Sequence, residues 1–231
     1  MKHRRVTRRR VMAIAGTASV SSLCMATERA ELLPENAEDA LLALKEGNVR
    51  FAAGKTLHAH QSANWREHLV GGQKPFATIL GCSDSRVPVE LVFDQGFGDL
   101  FVVRVAGNVV APDVVGSLAY AVAHLMTPLV VVVGHENCGA VTAAVNALAG
   151  KMDALASVNA LARLIEPGLP EGLLAKPANE RIPLAVEANV RWSTGQLAKQ
   201  TWAKPPIVPG PVRIVGAVYD LKTGRVRFLD S

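Results

Sequence analysis

Five consecutive apolar residues, Leu129-Val130-Val131-Val132-Val133, four of them β-branched, constrain this chain more than any other stretch. Consecutive apolar positions put side chains on both faces of a strand, and β-branching disfavours a helix. Such a run has to lie between two covering layers, as in the middle of a parallel sheet. Two shorter runs of the same kind precede it: Phe76-Ala77-Thr78-Ile79-Leu80, bounded by Pro75 and Gly81, and Leu100-Phe101-Val102-Val103-Arg104-Val105. A helical pattern over 114–124 separates the second run from the third, and another helix is expected to begin near Gly139. Strand and helix therefore alternate, which predicts an α/β fold with a mainly parallel central β-sheet flanked by helices.

The remaining segments fit around that core. Leu41, Leu44 and Phe51 give helical spacing over 37–53, behind a cap at Asn36 and ahead of Gly54. A polar loop is expected over 55–64, and its His58 and His60 read as solvated residues; His68 and His124 also read as non-ligands. Residues 140–165 read as one alanine-rich helix with a stripe of Leu155, Val158, Leu161 and Leu164. A further helix over 184–199 carries Val186, Val190 and Leu197. Pro205, Pro206, Pro209 and Pro211 predict a stiff surface loop before two last strands, 212–219 and 225–229, which turn at Thr223-Gly224. There is no internal repeat or second linker, so 27–231 is expected to be a single domain.

Charge isolates what lies before it. The 231 residues carry a net +5, yet six of the 25 Lys+Arg fall in the first ten positions with no acid among them. The apolar stretch that follows, 11–26, is too short and too rich in Ser, Thr, Gly and Ala for stable membrane insertion. Thr7-Arg8-Arg9-Arg10-Val11-Met12 resembles a twin-arginine export signal, which predicts a signal peptide over 1–26, cleavage after Ala26 and a periplasmic or secreted protein. Bulky Leu23 speaks against lipid attachment at Cys24; a disordered basic tail or a misassigned start are the plainer alternatives. Without the leader, 19 basic residues face 20 acidic ones, a net of −1, and no nucleic-acid partner is expected. At 49 % apolar and 19 % charged residues the chain is not a disordered one, and three cysteines do not make a disulfide scaffold.

Of those cysteines, Cys82 and Cys138 belong to the domain. Cys82 ends the first strand in Gly81-Cys82-Ser83-Asp84-Ser85-Arg86, and His135 and Cys138 follow the third in Gly134-His135-Glu136-Asn137-Cys138. Ligand sites in open parallel sheets form at the carboxyl ends of strands, so these segments point to one edge. Two thiolates and an imidazole suit Zn²⁺, and three protein ligands leave a fourth position for water, the arrangement of catalytic zinc. The His-x-x-Cys spacing at a helix start is expected to put both ligands on one turn. A Cys82–Cys138 disulfide, a catalytic thiol with His135 as base, and two inert cysteines remain the alternatives. Asp84, held bidentately by Arg86, would be kept off the metal and turned toward its water; the plain reading of Asp-x-Arg is a surface ion pair.

Cys82-Ser-Asp84-Ser-Arg86 with His135-x-x-Cys138 resembles the β-class carbonic anhydrases, and the similarity runs from about Glu38 to Leu229. It takes in Gly47-Asn48-Val49-Arg50-Phe51, Gly72-Gln73-Lys74-Pro75-Phe76, Gly98-Asp99-Leu100-Phe101-Val102-Val103-Arg104, Ala106-Gly107-Asn108 and Gly116-Ser117-Leu118-Ala119-Tyr120-Ala121-Val122. The resemblance implies one Zn²⁺ per chain on Cys82, His135 and Cys138, an Asp84–Arg86 catalytic dyad, and reversible hydration of carbon dioxide by hydroxide on the zinc. It implies that Gln73, Phe101 and Tyr120 bind substrate across a homodimer interface, in a dimer or a tetramer of dimers. Ile79 stands where some members carry a tryptophan of a regulatory bicarbonate pocket, so that regulation is not expected. Glu136-Asn137 is a less common filler between the ligands, and Ala119 replaces a frequent acid before the tyrosine. The rival functions are a related zinc hydrolase of CS₂ or COS and a non-catalytic zinc scaffold. A dinucleotide or phosphate site is disfavoured, because no glycine-rich cradle follows a strand.

Overall fold

The valine run forms β3 (Leu129–His135), buried along its whole length. It stands at the centre of a five-stranded sheet of order β2-β1-β3-β4-β5, with β1 (Ala77–Gly81), β2 (Leu100–Arg104), β4 (Arg213–Tyr219) and β5 (Val226–Phe228). All pairings are parallel except β4 with β5, the hairpin that closes the chain. The computed structural model describes residues 33–203 and 212–229, all of one compact unit. The expected leader, Cys24, the boundary at Ala26 and the proline-rich segment lie outside the described residues.

The side-chain alternation of a strand explains why both faces of β3 need cover. Val131 and Val133 pack with Leu41 and Leu44 of α1 (Ala37–Ala52) and with Val89 and Val92 of α3 (Val89–Val92). Val130 and Val132 pack on the other face with Val114, Leu118 and Val122 of α4 (Pro112–His124) and Val190 and Leu197 of α7 (Ala178–Ala198). Asn36 caps α1 as expected, accepting from Asp39 N at 2.9 Å. A Cβ at Gly47 would overlap the Phe93 carbonyl oxygen. Buried Asn48 beside it donates to Val92 O (3.0 Å) and Gly224 O (2.9 Å) and accepts from Val226 N (2.8 Å), tying α1 to α3 and to the β4–β5 hairpin.

Several expected boundaries move. Residues 140–165 are two helices, α5 (Gly139–Leu148) and α6 (Ala156–Ile165), interrupted at Gly150, whose φ is 76°. Asn159 closes the intervening loop by bonding Asp153 N and Asp153 O, which rotates the buried face of α6 to Asn159, Ala162 and Ile165 and leaves Leu155 and Leu164 exposed. α7 starts at Ala178, ahead of the expected 184, and runs through Pro183. The loop expected over 55–64 runs into a short helix, α2 (Ala63–His68). His60 within it is not solvated: it contacts Asp99 Oδ1 at 2.7 Å and stacks on Trp65. At the sheet's far side β2 is an edge strand whose Leu100, Phe101, Val102 and Val103 are only half-buried. No described helix is long and apolar enough to cross a membrane.

Candidate metal centre

β1 and β3 are sheet neighbours in register, and both run out at the same edge. Cys82 follows the last residue of β1, and His135 is the last residue of β3. Asn137, at φ 51°, reverses the chain so that Cys138 becomes the N-cap of α5. His135 and Cys138 therefore do not share a helical turn, as their spacing suggested; one ends a strand and the other caps a helix.

The ligand atoms of Cys82, His135 and Cys138 all lie within 4.8 Å of one another, and the three side chains are buried. Cys82 Sγ and Cys138 Sγ are 4.0 Å apart and both thiols are free. A disulfide needs about 2 Å between sulfurs, so that alternative fails. Tetrahedral zinc with Zn–S near 2.3 Å separates two sulfurs by about 3.8 Å, close to what is found. His135 Nδ1 donates to Glu136 O at 2.8 Å, which leaves Nε2 buried, facing the sulfurs and without a hydrogen-bond partner among the described residues. An orphaned imidazole nitrogen beside two sulfurs is a donor set matched to zinc.

The thiols already behave as a pair. The hydrogen bond shared with Cys138, together with His135 and the Gly107 N–H, pulls the Cys82 thiol below its ordinary range against the push of burial, and the same pairing and burial push Cys138 up. Burial pulls the His135 imidazole down, but the Cys82 sulfur outweighs it and its net shift is upward. The negative charge that draws a proton here is the charge that would draw a cation, which has to displace that proton.

Asp84 stands next to this cluster without entering it. Arg86 Nε and Nη2 donate to Asp84 Oδ1 and Oδ2 at 2.8 and 2.7 Å, and Arg86 N adds a third bond to Oδ1 at 3.0 Å. Oδ2 remains 3.8 Å from His135 Nε2. The Arg86 guanidinium holds the Asp84 carboxyl far below the usual carboxylate range. Two neighbours were missed in the sequence reading. Arg104, exposed at the end of β2, donates to the carbonyls of Cys82 (3.0 Å) and Asp84 (2.7 Å). Gly107 N–H donates to Cys82 Sγ at 3.3 Å. Only the run Arg104-Val-Ala106-Gly107-Asn108, just past a strand, signalled either.

Gln73, Phe101 and Tyr120 lie elsewhere. Gln73 is exposed in the loop before β1, and Phe101 pairs with Thr78 near the amino end of the sheet. Tyr120, half exposed on α4, has its ring 6.2 Å from that of Phe101 and 5.1 Å from that of His124. Cys82 sits at the opposite, carboxyl end of the strands.

Comparison with known proteins decides the family. A profile described as "Carbonic anhydrase" matches residues 77–226. This chain belongs to the carbonic anhydrase family. "Carbonic anhydrase 2" of Mycobacterium tuberculosis is 43 % identical over 190 residues, covering 81 % of this chain and 90 % of that protein. The carbonic anhydrase of Mycolicibacterium smegmatis is 41 % identical over 187 residues, 80 % of this chain and 89 % of that protein. Among solved structures, the β-carbonic anhydrase CafA of Aspergillus fumigatus superposes with a TM-score of 0.66 at 25 % identity, over 84 % of this chain and 90 % of that one. A tetrameric β-carbonic anhydrase of Sordaria macrospora gives 0.66 at 27 % identity, over 84 % and 98 %. β-Carbonic anhydrases are zinc enzymes, and Cys82, His135 and Cys138 are positioned to bind the metal.

Proposed function

We propose that this protein catalyses the reversible hydration of carbon dioxide to bicarbonate on a zinc ion held by Cys82, His135 and Cys138. The observation that carries the reading is Asp84, clamped at both oxygens by Arg86 beside the three ligand atoms. As is established for carbonic anhydrases generally, bound zinc brings the pKa of water toward neutrality and so supplies a nucleophile at ordinary pH. Arg86 prevents Asp84 from turning into the cluster as a fourth ligand. Asp84, kept ionised, accepts the hydrogen bond of the attacking water and orients its free lone pair toward carbon dioxide. A non-catalytic zinc scaffold has no use for such a clamp.

Gln73, Phe101 and Tyr120 complete the pocket in a homodimer or a tetramer of dimers, with the Gln73 amide donating to a substrate oxygen on a second copy. Their place at the amino end of the strands supports a role in trans, since they are remote from their own cluster. Residues 1–26 act as a twin-arginine-type leader, and the enzyme works in the periplasm or outside the cell; Thr7-Arg8-Arg9-Arg10-Val11-Met12 and the nearly neutral remainder support this.

Stopped-flow hydration of carbon dioxide by zinc-loaded protein, with Cys82→Ala and Asp84→Ala as controls, tests the activity. Full zinc content without hydration from neutral to alkaline pH overturns it, and turnover of CS₂ or COS in its place establishes the rival hydrolase. Periplasmic protein with a mass beginning near Thr27 is the expected result for the leader; full-length protein confined to the cytosol refutes it.

A further inference from the structure

Two polar residues interrupt the buried stripe of α7. Asn189 and Ser193, each 1 % exposed, lie one helical turn apart among Ala185, Val186, Val190 and Leu197. Asparagine and serine are weak formers of helix interior, and a buried amide is costly unless it is bonded. Both side chains bond the same target, the 3-10 turn Ala106–Asn108: Asn189 Nδ2 donates to Gly107 O at 2.8 Å and Ser193 Oγ to Asn108 O at 3.2 Å.

That turn is wedged from two further sides. Gly107 has φ 70°, and a Cβ there would come within 2.9 Å of Ile165 Cδ1 on α6 and 3.0 Å of Ala140 Cβ on α5. Its other bond is the N–H donated to Cys82 Sγ at 3.3 Å. The direction of an N–H follows from the backbone conformation of its turn. Two α7 side chains thus act on a metal-ligand sulfur through a single loop.

We propose that Asn189 and Ser193 are positioning residues for the Cys82 thiolate. By locking the Ala106–Asn108 turn they keep the Gly107 N–H on the sulfur, which fixes the ligand's orientation and draws electron density away from its bond to a divalent cation. The proposal rests on the reading of Cys82, His135 and Cys138 as metal ligands.

The test uses the full-length protein loaded with cobalt, whose thiolate-to-metal charge-transfer band reports the sulfur directly, together with zinc affinity from competition with a chromogenic chelator. Failure of the unaltered protein to show a thiolate–cobalt band refutes the ligand reading, and this proposal falls with it. Given that band, Asn189→Ala is expected to move it to lower energy and, because the lost orientation of the sulfur outweighs its gain in donation, to weaken zinc binding about 10-fold, the lower end of what outer partners of metal ligands contribute. Ser193→Ala is expected to shift both in the same direction by less, and it carries the test should Asn189→Ala not fold. Asn159→Ala is the control: it removes a buried asparagine that also bonds backbone, at Asp153, and is expected to lower thermal stability while leaving the band in place. A folded Asn189 or Ser193 variant with unaltered band and zinc affinity overturns the proposal, as does an equal band shift in Asn159→Ala.

Discussion

Two variants that are each impaired alone should restore one another when mixed: Gln73→Ala and Cys82→Ala. Phe76 N bonds Asp99 O at the amino end of the sheet, and from Phe76 to Cys82 the chain climbs along β1. At about 3.3 Å per residue that climb is about 20 Å, and Gln73 precedes Phe76 by three residues more. A glutamine side chain does not bridge that distance, so Gln73 has to serve the cluster of another copy or none. In the proposed homodimer, Cys82→Ala lacks a complete ligand set. The Gln73→Ala homodimer keeps its ligands but loses a donor to the reacting oxygen, a loss of about 10²-fold in kcat. When equal amounts are unfolded together and reassembled, about half the dimers are mixed, and each mixed dimer has one cluster facing an intact Gln73. Activity should return to about a quarter of the unaltered level, given two-fold symmetry and free exchange. Differently tagged chains isolate the mixed dimer, and stopped-flow hydration measures it. If Gln73 acted within its own chain, a mixed dimer would contain no complete site. Mixed dimers that form without a gain in activity therefore refute the arrangement.

Asp84→Asn should leave zinc content unchanged but lower kcat/KM by 10² to 10⁴, about the range for a group that accepts a proton or orients the attacking water; a variant within a factor of a few of the unaltered enzyme removes Asp84 from the mechanism. For Asp94, burial alone pushes the carboxyl up, but Arg50 at 2.6 Å and the Leu57 and His58 amides prevail and hold it below the ordinary range. A folded-state value below the unfolded one means that its stabilisation is complete above the usual carboxylate range and fades as pH falls through the lowered value. Asp94→Asn should therefore destabilise at neutral pH and flatten the acid limb of a urea-midpoint profile. Stripping zinc with a chelator should leave Cys82 alkylated by iodoacetamide ahead of Cys138, because the Gly107 N–H donated to its sulfur at 3.3 Å favours the Cys82 thiolate; peptide mass mapping reads the order, and zinc should protect both.

The sheet was legible because its strongest signals were local. A doubly apolar run such as 129–133 admits few placements, and β1, β2, β3 and β4 fall where hydrophobic runs and their Gly or Pro boundaries put them. The candidate ligands were legible for a similar reason: Cys82 and His135 sit where a buried run stops, and Cys138 follows three residues on, at the start of the next helix. Residues acting through the backbone were not. Gly107, Arg104, Asn189 and Ser193 meet Cys82 or its neighbours only after long stretches of chain have folded back, and a polar residue inside a helical stripe carries no mark of its target. The single helix expected over 140–165 failed because alanine-rich sequence is permissive across Gly150, where the backbone turns left-handed. His60 misled because its partner, Asp99, is 39 residues away.

The free side of β2 has a consequence for the life of a newly made chain. Leu100, Phe101, Val102 and Val103 leave a row of half-exposed apolar side chains along an edge with no further strand beyond it among the described residues. Such an edge is a template for any extended segment that meets it. A lone protomer carries an aggregation hazard that a matched partner over the same face would abolish. Yield on refolding should therefore peak at an intermediate protein concentration, where correct pairing outruns both dilution and disordered association.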